Sequence, residues 1–249
     1  MKLKNMDRLQ TKGHSLFLAY DQGLEHGPSD FNLVNVSPEF IVNLAEGANI
    51  NGLVLHHGIA EKYFDKDKHK VPLIIKLNGK TCLGNKPPGS SQICSVERAI
   101  KLGACAVGYT VYPGSEYEPT MFSEFGDILE ECHDKGIPVI LWVYPRGEGI
   151  DPYETEIIAY AARVGLEMGA DFAKIYYNGD AEGFKWASAS AGKCNLVISG
   201  GKKIGDTTFL EHARDAIDAG AVGIAVGRNV WQHENPEYML EQLKKVVYK

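Results

Sequence analysis

The chain reads as an α/β protein folded into a (β/α)8 barrel, and three observations predict it. Short apolar runs of strand character recur eight times, and helix-period segments separate most of them. The length of 249 residues matches one closed barrel, which takes about 250 residues. The runs cover residues 15–20, 52–56, 73–77, 104–109, 139–144, 172–176, 196–199 and 223–226. They are apolar on both faces, the pattern of a parallel sheet covered by helices rather than of a half-solvated antiparallel one. Residues 118–135, 152–168 and 207–219 carry apolar side chains at three- and four-residue spacing and predict helices. Gly103, Gly136, Gly169 and Gly220 stand where such helices must stop and turn back into a strand. No composition break or low-complexity tract divides residues 1–249, so one barrel domain is expected.

Composition narrows the function. A net charge of −6 leaves no basic stripe for nucleic acid, and no apolar run is long enough to span a membrane. The polar N-terminus, Met1 to Gln10, lacks the apolar middle of a signal peptide, which predicts a cytoplasmic protein. The five cysteines (Cys82, Cys94, Cys105, Cys132, Cys194) are scattered and never spaced C-x-x-C. That pattern predicts reduced thiols rather than a disulfide framework or a thiolate zinc site.

Barrel chemistry collects at the C-terminal ends of the strands. Applied here, that rule selects Asp21, His56, Lys76, Tyr109, Tyr144, Lys174, Ser199 and Gly227 with their neighbours. A lysine inside an apolar run, as in Ala173-Lys174-Ile175, either pairs with an acid or rests as a neutral amine. A neutral amine on a rigid strand is what imine formation with a ketone requires. Ile140, Trp142 and Tyr144 share one strand face, as do Phe172, Lys174 and Tyr176, so phenol and amine meet at the mouth if both faces point inward. Tyr144 then suits proton transfer, and Asp21 serves as a further acid or base or as an ionic partner of Lys174. Lys76 is the rival amine: imine former itself, or a second cation that lowers the pKa of Lys174. Trp142 and Tyr176 fit barrel core better than substrate contact, with Trp142 alone favoured as functional because it precedes Tyr144.

The loops after the last two strands read Ser199-Gly200-Gly201-Lys202-Lys203 and Gly227-Arg228-Asn229. Glycine lets backbone N–H groups approach an anion, and barrels commonly hold phosphate at these two loops. Plain glycine turns with a solvated arginine are the alternative. His14, His26, His56 and His57 with Glu25 raise a metal site, but no H-x-x-x-H pair occurs, and His56 and His57 are expected on opposite sides of a strand. Residues 78–91, rich in Gly, Pro and Ser, form the longest irregular stretch, either functional or a surface excursion.

Along its length the sequence also resembles the archaeal-type class I fructose-bisphosphate aldolases. The likeness runs in order through Ala19-Tyr20-Asp21-Gln22-Gly23-Leu24-Glu25-His26-Gly27-Pro28, Leu77-Asn78-Gly79-Lys80-Thr81, Trp142-Val143-Tyr144-Pro145-Arg146-Gly147, Ala173-Lys174, Ser199-Gly200-Gly201 and Gly227-Arg228-Asn229-Val230. The resemblance implies a TIM barrel that forms an imine at Lys174, with Tyr144 moving protons and Asp21 assisting the carbinolamine and imine steps. It implies Trp142 packing on the sugar, with Ser199, Gly200, Gly201, Gly227 and Arg228 at the phosphate near the ketone. His26 and Arg146 are candidates for the far phosphate. It further implies no metal or other cofactor, sugar phosphates as substrates in glycolysis and gluconeogenesis, and large homo-oligomers, often decamers. A related synthase makes a 2-amino-3,7-dideoxy-hept-6-ulosonate for aromatic amino acids with the same lysine, tyrosine and aspartate. Its first-strand motif usually reads Asp-His-Gly-X-Ser, so Glu25-His26-Gly27-Pro28 favours the bisphosphate aldolase. Gln22 stands where many members carry histidine.

Overall fold

Eight parallel strands hydrogen-bond in sequence order into a closed barrel. They are β1 (Ser15–Ala19), β2 (Gly52–His56), β3 (Leu73–Lys76), β4 (Ala106–Val111), β5 (Val139–Val143), β6 (Phe172–Ile175), β7 (Asn195–Ser199) and β8 (Gly223–Val226). The structure is a computed structural model and describes residues 3–84 and 86–249. Met1 and Lys2 of the N-terminal stretch, and Asn85 of segment 78–91, lie outside the described residues. One helix packs outside after each strand: α1 (Pro38–Ala48), α2 (His57–Tyr63), α3 (Val96–Lys101), α4 (Glu118–Lys135), α5 (Thr155–Glu167), α6 (Ala181–Ala191), α7 (Asp206–Asp218) and α8 (Pro236–Val247).

Two cores explain why the strands are apolar on both faces. Phe17, Val54, Ile74, Ile140, Phe172 and Val197 fill the barrel interior, while alternate residues such as Leu16, Leu18, Leu53 and Leu141 pack under the helices. Below the interior layer, Met6 and Leu9 of a short helix (Met6–Leu9) plug the N-terminal end. Among the described residues, polar groups of the barrel interior gather at the opposite mouth. Gly136 (φ 73°) and Gly220 (φ 110°) end α4 and follow α7 in the left-handed conformation their sequence positions predict.

One strand departs from the sequence reading. The fourth begins at Ala106 and runs to Val111, two residues later than expected. Ala104 instead finishes the turn out of α3, its N–H bonded to the Ala99 carbonyl. Tyr109 therefore sits mid-strand on the helix side, its ring on Phe125 and its hydroxyl 2.5 Å from Glu124. Thr110 and Tyr112 reach the mouth in its place. His57 is likewise not a strand residue: it opens α2, with His56 at the N-cap.

Gly108 on β4 makes room for the largest interior side chain. A Cβ there would overlap the six-membered ring of Trp142. Gly108→Ala should therefore lower stability by about 1–3 kcal/mol, the usual cost of overpacking a filled core, read as a shifted denaturant midpoint.

Candidate active site

At the C-terminal mouth lies a cavity of about 290 Å³, near the lower end of the roughly 300–1,000 Å³ typical of small-ligand pockets. Its wall carries Lys76, Lys80, Lys174, Lys202, Arg146 and Arg228 against the carboxylates Asp21 and Glu25. Six basic side chains facing two acidic ones, in a chain of net charge −6, mark a site suited to an anionic ligand. The residues that the family resemblance implies for the site, Asp21, His26, Trp142, Tyr144, Arg146, Lys174, Ser199, Gly200, Gly201, Gly227 and Arg228, line this cavity, as do His56 and Lys76 from the strand-end rule, whereas Tyr109 does not.

At its floor two amines share one indole. Lys174 is in register with Trp142 on the neighbouring strand, and its Nζ lies 5.0 Å from the ring centroid. Lys76 approaches the same ring at 5.5 Å, and each lysine is only 5% exposed. Burial lowers the pKa of both, that of Lys76 to about 8, because the interior disfavours the ammonium form. Asp21 opposes the shift in each case, while Arg228 adds to it for Lys174 and Lys174 adds to it for Lys76. The two amines differ in engagement. Lys76 Nζ donates to the Asn78 carbonyl at 3.1 Å, whereas Lys174 has neither a hydrogen bond nor an ion pair among the described residues.

Tyr144 follows Trp142 by one pleat repeat and so stands nearer the mouth on the same face. Its ring stacks on Tyr176 at 4.6 Å, and the Tyr153 ring packs against Tyr176 at 4.8 Å. Burial, then the neighbouring Tyr176, pushes the Tyr144 hydroxyl well above its ordinary pKa. It rests as a phenol, ready to donate. Nearby, Trp142 Nε1, His56 Nδ1 and Gln22 Nε2 are buried without a hydrogen-bond partner among the described residues. Buried polar atoms left unpaired are costly, and those facing a cavity are natural contacts for a hydroxylated ligand.

Across β7 and β8 the glycine loops close one side of the mouth. Asn229, 2% exposed, donates through Nδ2 to the carbonyls of Gly200 (2.6 Å) and Lys202 (3.0 Å) and accepts from the Ile204 N–H at 2.9 Å. Its amide thereby locks the two loops together. A Cβ at Gly227 would press on the Ala19 carbonyl at 2.9 Å, so only glycine lets this loop pass so close to β1. Arg228 lies 3.6 Å from Asp30, which also pairs with His26 at 2.6 Å. His26 is thus tied to the Arg228 side of the mouth.

A second cationic cluster faces the first. One oxygen of Glu25 holds Lys80 at 3.2 Å and Arg146 at 3.4 Å. Both cations lie over the Tyr112 ring, and Arg146 also reaches the Tyr176 hydroxyl at 3.5 Å. Burial works against the charge on Glu25, yet Lys80 and Arg146 together hold its carboxyl below the usual range. Lys80 enters from segment 78–91, whose ends pair as a two-residue ladder, Asn78–Gly79 with Ser91–Gln92. No motif or periodicity in the sequence assigns Lys80, Tyr112, Tyr153 or Glu25 to an anion site, and Tyr176 reads there as core. Tyr112 was within reach of the strand-end rule once β4 is placed correctly. Among the described residues no group of three or more His, Cys, Asp or Glu side chains assembles as a metal site.

Residues 15–233 match the sequence profile of the DeoC/LacD family of aldolases. The chain belongs to that family. It is 48% identical over 241 residues to a Thermoproteus tenax protein named fructose-bisphosphate aldolase class 1, covering 95% of this chain and 90% of the relative. A Halobacterium salinarum protein of the same name is 45% identical over 239 residues, covering 95% and 91%. Among solved structures, an archaeal fructose-1,6-bisphosphate aldolase with its catalytic lysine bound covalently to the carbinolamine intermediate of the substrate superposes with a TM-score of 0.93. Identity to that protein is 46%, over 97% of each chain.

Proposed function

We propose that this chain is a Schiff-base-forming fructose 1,6-bisphosphate aldolase, with Lys174 as the imine former. The observation that carries the reading is a buried, unengaged amine beside a phenol, set between two cationic clusters on opposite sides of the mouth. The relatives' names support the substrate. Lys174 suits the imine better than Lys76 on two grounds. Its amine makes no hydrogen bond among the described residues, and β6 adjoins β7, whose loop, together with that of β8 beyond it, would hold the phosphate one carbon from the ketone. Lys76 stands on β3, farther round the barrel.

The steps start from Lys174 as a free amine, which burial favours, and Tyr144 as a phenol. Lys174 adds to C2 of the ketose, and the proton lost from nitrogen goes to the former carbonyl oxygen. Tyr144, resting as a phenol, protonates that hydroxyl, which leaves as water and yields an iminium and a phenolate. Asp21 offsets the iminium charge. The phenolate takes the C4 hydroxyl proton while C3–C4 breaks and its electron pair flows into the iminium. Glyceraldehyde 3-phosphate leaves and an enamine remains. Tyr144 returns its proton to C3, and water adds at C2 with its proton restoring the phenol. Collapse of the carbinolamine then frees glycerone phosphate and the amine.

Arg228→Ala should raise KM for the bisphosphate by about 10–100-fold, the worth of a charge-assisted hydrogen bond, and change kcat far less. Steady-state kinetics checks that split. The decisive experiment is borohydride reduction with glycerone phosphate followed by peptide mass mapping. A stable adduct on Lys174 is expected; an adduct on Lys76, or none in a protein that still cleaves the sugar, overturns the assignment. Activity should survive a chelator, in keeping with a metal-independent cycle. The proposal extends to a cytoplasmic homo-oligomer. Exposed Tyr160 and Trp186, on the mutually packed helices α5 and α6, support subunit contacts, which light scattering would register.

A further inference from the structure

The Glu25 carboxylate has no step in the reaction just described, yet it occupies the space between two cations inside the cavity. Lys80 and Arg146 do not depend on it for their positions. Both rest on the Tyr112 ring, at 5.6 and 4.8 Å, and Arg146 is also held by Tyr176. Glu25 itself is fixed from behind, because the Cys82 N–H donates to its backbone carbonyl at 3.0 Å. The cluster as it stands carries two positive charges and one negative. A phosphate arriving there meets the cations already satisfied by a carboxylate, and must share or displace it.

We propose that Glu25 is a resident competitor for the second phosphate of a bisphosphorylated ketose, limiting how strongly this end of the site grips its substrate and the phosphorylated aldehyde product. The inference rests on the aldolase reading for its substrate and goes beyond it in assigning Glu25. A carboxylate within a few ångströms of a phosphate dianion repels it, and partial exposure reduces that repulsion without abolishing it. The same carboxylate keeps Lys80 and Arg146 paired when the site is empty and eases release of the cleaved aldehyde phosphate. An unphosphorylated end of the sugar would feel little of this.

The test compares Glu25→Gln with the unaltered protein on fructose 1,6-bisphosphate and fructose 1-phosphate. Glutamine keeps the shape and an acceptor oxygen but removes the charge. The ratio of kcat/KM for the bisphosphate to that for the monophosphate should rise about ten-fold, carried by KM. Lys80→Met should move the same ratio down. If Glu25→Gln leaves the ratio unchanged, or lowers it as Lys80→Met does, Glu25 merely scaffolds the cations and the proposal is overturned. Calorimetric binding of glyceraldehyde 3-phosphate gives the same comparison without turnover: tighter in Glu25→Gln if the proposal holds, equal or weaker if it does not. Failure of the unaltered protein to cleave either sugar would count against the aldolase reading alone.

Discussion

Lys174→Met is expected to lower turnover by about 10⁴-fold or more, the order seen when a covalent nucleophile is removed, while leaving the protein at least as stable. The two effects share one cause. A buried lysine whose amine is desolvated is a poor structural residue and a good nucleophile. Methionine keeps most of the bulk against Trp142 and has no charge to desolvate. The stability effect has a definite sign. For a base whose folded pKa lies below its unfolded value, the unfolded chain binds more protons, so stability rises with pH between the two values. For Lys76 that window runs from about 8 to 10.5, and the cost is fully present below about 8. Lys76→Met should therefore gain stability at neutral pH, on the order of 3 kcal/mol, and lose the gain as pH climbs through the window. Lys174, displaced in the same direction, should behave alike. Denaturant titrations across pH check this. An inactive Lys174→Met that melts lower than the unaltered protein would show that the variant lost its fold rather than its chemistry.

The separate visibility of fold and site in the sequence has a physical basis. Parallel strands are buried on both faces, so all eight stood out as apolar runs, and the strand-end rule then led to Lys174, Tyr144 and Asp21. The same apolarity hid where β4 begins. Ala104 and Cys105 are as apolar as the strand they precede, and hydrophobicity does not distinguish the end of a turn from the start of a strand. Tyr109 is therefore expected at the mouth, where Thr110 and Tyr112 stand instead. Glu25, Lys80 and Arg146 lie in the short connecting segments after three different strands, Glu25 in the single helical turn Gly23–His26, where no periodicity reports direction. Only barrel closure brings them onto one another. His26 was legible as a polar residue near the mouth, but its pairing with Asp30 beside Arg228 was not.

Tyr144→Phe should reduce kcat by about 10²–10⁴-fold with a much smaller change in KM, the worth of one positioned acid–base group. The stacking on Tyr176 and the burial of the ring survive this change, since only the hydroxyl is lost. In the proposed cycle the phenol, held protonated by burial, would first donate, and the phenolate that follows would exist only while the iminium stands beside it. Loss of the hydroxyl therefore removes the acid for dehydration and the base for C–C cleavage at once. Reductive trapping separates these roles. With glycerone phosphate and borohydride, Tyr144→Phe should form the reduced adduct on Lys174 slowly, and exchange of the C3 proton with solvent should fall as well. Trapping at the normal rate together with lost exchange would confine Tyr144 to the carbon proton and move dehydration to Asp21. A raised KM with normal kcat would remove Tyr144 from proton transfer altogether.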